Sequence, residues 1–208
     1  GTNIKEAKPV VPQAILLSSV GVLLTAGITG IFIHLVLKLS LLESFLVAAV
    51  IGSTDAASVF NILRSKKLNL KENTASLLEM ESGSNDPVSY MLTVILTAVL
   101  TGQSVNVGLM LFFQVFFGVG CGVLFGKVTA VVLNRVEFDI SQGKTILVFA
   151  AAILAYTVPA LIGGNGYLSV YLCGIILGNS YLPHKRDMVL FFDVLTGVAQ
   201  MMIFFLLG

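Results

Sequence analysis

Charge is what this chain of 208 residues has least of: Asp, Glu, Lys and Arg make up 11% of it, against about 25% in an ordinary soluble domain. With 56% hydrophobic residues and a mean hydropathy of +0.97, it lacks the polar surface to cover a soluble globule. It therefore reads as an integral membrane protein with lipid as its surroundings. The net charge of +1 leaves no basic excess, which argues against a nucleic-acid partner. Tryptophan is absent. The two cysteines, Cys121 and Cys173, both fall in apolar stretches, which excludes a disulfide framework and leaves free apolar thiols. The two histidines, His34 and His184, are far apart and no His-Glu-x-x-His string occurs, which argues against a zinc enzyme. Neither a Gly-x-Gly-Asp nor a Gly-x-Ser-Gly string is present, so an intramembrane protease is disfavoured and the chain is read as no enzyme. It opens on Gly1-Thr2-Asn3 and stops at Gly208 after an apolar run. The expectation is a partial transmembrane domain over residues 1–208, with further helices on both sides.

What is present is apolar and arranged in spans. A backbone in lipid must satisfy its own hydrogen bonds, so the fold class is all-α, a polytopic bundle of about seven transmembrane helices. The segments are 14–37, 42–63 (interrupted at 52–55), 74–101, 107–133, 145–162, 167–180 and 188–207. The sixth is short for a bilayer that takes about 20 helical residues to cross. With a cytoplasmic N-terminus, one set of alternate loops holds Lys5, Lys8, Arg64, Lys66, Lys67, Lys71, Arg135, Lys144, Lys185 and Arg186. The other set holds only Lys38, while Lys127 snorkels from the inner end of the fourth span. That is a positive-inside bias, and it supports the same span count.

Against this apolar background the third span keeps Glu79, Glu81 and Asp86. A carboxylate at the bilayer centre costs about 2.5–3.5 kcal/mol on insertion scales, so such residues point to a function. On a helix Ser82 and Asp86 share a face, as do Glu81 and Asn85, and Asp86 falls about 18 Å from the cytoplasmic end. Ser84-Asn85-Asp86-Pro87 also has the form of a helix start, with Asp as N-cap and Pro at the first position. That alternative leaves fifteen residues to Thr101, too few to cross about 30 Å of hydrocarbon. In the second span, Gly52-Ser53-Thr54-Asp55 joins a helix breaker to small polar side chains at mid-span. Unwound backbone there offers carbonyl oxygens to a hard cation, with Thr54 and Asp55 adding a hydroxyl and a carboxylate. For Gly52 and Ser53 the better account is structural, with glycine allowing close helix packing and serine bonding back to its own turn. Asp193 and Gln200 of the seventh span suit a loop ion pair and an interhelical hydrogen bond.

These strings resemble a known family. Glu81-Ser82-Gly83-Ser84-Asn85-Asp86-Pro87, preceded by Gly52-Ser53-Thr54-Asp55-Ala56-Ala57, is similar to the monovalent cation/proton antiporters, in the NhaP-like branch with the Asn-Asp motif. The stretches 167–179 and 203–208 resemble later helices of the same family, and the wording of the motif resembles bacterial potassium/proton antiporters in particular. The resemblance implies a larger fold with inverted repeats and a broken helix at the ion site. It implies that Asp86 takes a proton and a cation in turn, that Asn85 holds the site together and marks electroneutral exchange, and that Glu81 shapes the site. Ser82 and Thr54 would be ligands of the transported K⁺, Na⁺ or Li⁺. It further implies no cofactor, a homodimer in membrane lipid, and a place in the bacterial inner membrane. The arginine that partners Glu81 in the family has no candidate in this chain. A cation channel or a non-transporting membrane scaffold is the alternative reading.

Overall fold

The computed structural model describes residues 7–54, 74–104, 106–136, 141–182 and 185–207. Among the described residues there are seven helices and no strand. We label them α1 (Lys8–Leu37), α2 (Leu41–Ile51), α3 (Thr74–Leu100), α4 (Val107–Arg135), α5 (Ser141–Leu161), α6 (Gly166–Asn179) and α7 (Lys185–Leu207). Helices α1, α4, α5 and α7 are long and apolar enough to cross a membrane. Helix α3, at 27 residues, has the length but carries the acids. Helices α2 and α6, at 11 and 14 residues, are half-length.

The ends of these helices follow from local chemistry. Helix α1 stops at Lys38, whose φ of 55° lies in the left-handed region and turns the chain back. Helix α2 starts with a capping box: Ser40 Oγ accepts from Glu43 N at 3.3 Å while Ser40 N donates to Glu43 Oε2 at 3.1 Å. Asn106 caps α4 through Leu109 N at 3.1 Å, and Asn165 caps α6 through Leu168 N at 3.0 Å. Within α1, Leu17–Gly21 form a π-helical turn, a feature with no warning in the sequence.

The helices form two packing groups with separate apolar centres. In the first, Ala26 and Ile33 of α1 meet Ala48 of α2 and Leu92 of α3. In the second, Leu133 of α4, Val148 and Ala155 of α5, and Cys173 and Leu177 of α6 cluster with Met188 of α7. The tightest pairing is α4 on α6. Gly118, Gly122 and Gly126 recur every fourth residue and are buried. A Cβ on Gly122 would stand 2.6 Å from Ser169 O, and one on Gly118 would stand 3.0 Å from Asn165 O. Small residues at this spacing let two backbones touch where lipid supplies no hydrophobic drive between helices. The outward faces are apolar and exposed, as at Leu24, Ile28, Leu35, Phe116 and Phe204, and α7 buries only Met188 among its described residues.

Candidate functional site

The two groups meet along α3, and the polar residues lie at its middle. Pro87 stands thirteen residues after Thr74 and thirteen before Leu100, about 20 Å from either end of α3. The helix runs through it, so the alternative of a helix starting at Pro87 fails. The ring removes one ladder bond, the one from position 87 back to Gly83. Helix α2 ends at Ile51, and Gly52, Ser53 and Thr54 follow it without helical structure. The interruption expected at residues 52–55 is therefore present up to Thr54. Asp55 lies outside the described residues, as does the basic stretch 64–71.

The end of α2 grips α3 through side chains. Ser53 Oγ donates to Asn85 Oδ1 at 3.1 Å and reaches Asp86 Oδ1 as well; its single proton divides between two acceptors. Asn85 is fully buried. Its Nδ2 donates to Thr54 Oγ1 and, at 3.3 Å, to Glu81 Oε1. Thr54 Oγ1 and Ser82 Oγ are 3.0 Å apart, and Ser82 Oγ donates to the Thr54 carbonyl at 3.3 Å. A consistent proton assignment runs from Asn85 to the Thr54 hydroxyl, from there to Ser82, and from Ser82 to the Thr54 carbonyl. The face shared by Glu81 and Asn85 is realised as a hydrogen bond. Ser82 and Asp86 also share a side, but each meets a different residue of the α2 end.

Two cavities adjoin this junction. One, about 290 Å³, is lined by Glu81, Thr54, Asn85 and Gly52, with Leu17 and Gly21 of the π-helical turn on its far wall. The other, about 350 Å³, is lined by Asp86, Ser53, Ser89, Tyr90, Thr93 and Tyr167. Asp86 lines the second cavity and is exposed to it. Ser89, by contrast, is buried at 5% exposure, and its Oγ has no hydrogen-bond partner.

Across the seam the second group supplies aromatic rings and one amide. Tyr90 of α3 meets Tyr167 of α6 at a ring separation of 5.0 Å, and Tyr156 of α5 meets Tyr167 at 5.2 Å. Gly83 leaves room for Tyr171, whose Cε2 would stand 2.5 Å from a Cβ there. Asn165 Nδ2 donates to Pro87 O at 2.9 Å. Nothing in the sequence marks Asn165 or Ser89 as a site residue, and Tyr167 stands out only as the start of the stretch 167–179. The only signal for Asn165 was its place before a helix, after Gly163-Gly164. Other polar residues lie elsewhere: Lys127 and Asp193 are exposed, and His34 Nδ1 bonds Leu39 O at 2.7 Å. Arg135 ends α4 and Arg186 opens α7, at helix ends and not at mid-span. No group of three or more His, Cys, Asp or Glu suited to a resident metal occurs among the described residues.

Helices of membrane-crossing length, two half-length helices and an ionisable polar cluster at the middle of α3 define a polytopic membrane protein. Residues 2–208 match the family described as sodium/hydrogen exchanger, transmembrane, and the chain belongs to that family. It is 35% identical, over its whole length and 36% of the relative's, to the K(+)/H(+) antiporter NhaP2 of Shewanella sp. (strain ANA-3). It is 32% identical, with the same two coverages, to the K(+)/H(+) antiporter NhaP of Alkalimonas amylolytica. Over 79% of the chain and 32% of the relative it is 31% identical to the low-affinity Na(+)/H(+) antiporter NhaS1 of Synechocystis sp. (strain ATCC 27184 / PCC 6803 / Kazusa). The chain thus spans about a third of the length of these relatives, all of them antiporters by name. It is an integral, multi-pass membrane protein.

Proposed function

We propose that the full-length protein exchanges protons for a monovalent cation, K⁺ or Na⁺, by alternating access at Asp86. The observation that carries this is the junction of the α2 end with mid-α3, where Ser53 reaches both Asn85 and Asp86 and Thr54 bonds Ser82. Proton and cation compete, because protonating Asp86 removes the charge that draws the ion. Ser82 and Thr54 supply neutral oxygens to the ion, with Asp55 a further candidate. Asn85 fixes these groups relative to one another, and Glu81 shapes the neighbouring cavity through Asn85. An uncharged Asn at position 85 fits electroneutral exchange of one cation for one proton. The protein needs no cofactor, is no enzyme, and works as a homodimer in the bacterial inner membrane.

The test is proton movement in everted vesicles holding the full-length parent, with Na⁺, Li⁺ and K⁺ added separately. Cation-dependent collapse of the pH gradient, lost in Asp86→Asn protein that is folded and inserted, is the expected result. Exchange that survives Asp86→Asn overturns the assignment. Cation flux uncoupled from protons points to a channel.

A further inference from the structure

Asn165 crosses the seam between the two packing groups and uses every polar atom it has. It is fully buried. Its Oδ1 accepts from Leu168 N at 3.0 Å and closes the first turn of α6. Its Nδ2 donates to Pro87 O of α3 at 2.9 Å. Its backbone N–H donates to Gln114 O of α4 at 3.0 Å, and its carbonyl accepts from Ser169 N at 3.1 Å. One residue thus ties three helices together, next to Asp86.

Capping alone does not explain the choice of residue. A cap needs an acceptor, and Ser, Thr, Asp and Asn all provide one. Of these four only Asn adds an N–H donor beside the acceptor. That donor meets the carbonyl of Pro87, the residue at which the ladder of α3 already lacks the bond back to Gly83. On the two residues just before it, Ser53 and Thr54 reach Asp86 and Asn85. The stretch that carries the carboxylate is therefore held at both ends, by the α2 end and by Asn165.

We propose that Asn165 is a positioning residue for Asp86: its amide donor fixes the Pro87 turn so that Asp86 faces the oxygens of the α2 end. This rests on Asp86 being the exchange site. Without the donor the turn shifts relative to Ser53 and Thr54, and cation binding weakens while turnover of the bound state persists. In the full-length parent in vesicles, Asn165→Ser keeps the cap, adds no charge and is too short to reach Pro87 O. The cation concentration giving half-maximal exchange should rise roughly three- to tenfold, the worth of one hydrogen bond. The maximal rate per inserted protein should stay within about twofold, the signature of lost ground-state binding. A purely structural role would lower the amount inserted and leave that constant unmoved. Asn165→Asp, which also keeps the cap and lacks the donor, should raise the constant too and serves if the serine variant fails to insert. An unchanged constant in an inserted variant overturns the proposal while leaving Asp86 in place. Exchange that persists in Asp86→Asn overturns the site reading, and this proposal with it.

Discussion

Helices α3 and α4 are of similar length, 27 and 29 residues, and both lie against α6, yet their most distinctive contacts differ in kind. Besides apolar contact at Leu92 and the room that Gly83 leaves for Tyr171, helix α3 meets its neighbours through polar groups: Ser82, Asn85 and Asp86 toward the α2 end, and the Pro87 carbonyl toward Asn165. Helix α4 meets α6 through the absence of side chains at Gly118, Gly122 and Gly126. Hydrogen bonds across a membrane bundle are modest, averaging about 0.6 kcal/mol in measured cycles, and can exchange partners. A backbone seated on a backbone cannot give way without separating the helices. The α4–α6 contact is thus a fixed wall, and the middle of α3 is an adjustable surface. This division suits the alternating access proposed for the site.

Four substitutions would break or sharpen this contrast. The largest expected effect is on function at α3: Asp86→Asn should abolish cation-dependent proton movement in the full-length protein while leaving thermal unfolding in detergent nearly unmoved. At α4 the effect should fall on stability. Gly122→Leu drives a side chain into Ser169 O, where even a Cβ would stand at 2.6 Å, and should cost about 1–3 kcal/mol or more, as overpacking does. Fluorescence-detected size exclusion after heating would read it as an earlier loss of the folded peak. Asn85→Ala takes one hydrogen bond each from Ser53, Thr54 and Glu81, while Ser53 keeps Asp86 and Thr54 keeps Ser82. It should cost about 0.5–1.5 kcal/mol and raise the cation concentration needed for exchange. The smallest effect belongs to Gly120→Ala, two residues from Gly122 but with nothing within 4 Å of its Cβ position. It should be neutral or stabilising by up to about 1 kcal/mol from helix propensity. If Gly120→Ala proved as damaging as Gly122→Leu, the glycine stripe would not be the basis of the α4–α6 wall.

Much of the fold was legible because lipid leaves the backbone few choices. The apolar pattern puts the third span at 74–101, and the helix is Thr74–Leu100; it puts the sixth at 167–180, and the helix is Gly166–Asn179. Boundaries moved where a cap or an amphipathic end extends the apolar run, as in α1, which begins at Lys8 and not at residue 14. The pairing of Glu81 with Asn85 was legible from helical spacing, since four residues bring two side chains to one face. The exposure of Asp86 was not. It is a matter of which segments pack on that face of α3, and hydropathy carries no information about which neighbour covers a given face. The same holds for the glycines of α4. Their spacing of four is visible in the sequence, but their partner is not.

The sequence by itself determined that this is a membrane bundle, how its spans are laid out, and which span carries the carboxylates. Those follow from the cost of charge and of unsatisfied backbone in lipid, which each segment meets on its own. Only the tertiary structure decided that Asn85, and not Asp86, is the buried centre of the cluster. It alone placed Asn165, seventy-eight residues from Pro87, on that proline's carbonyl. These are contacts between segments distant in the chain. They are settled by which helices touch and how closely their backbones approach, and no local spacing encodes that.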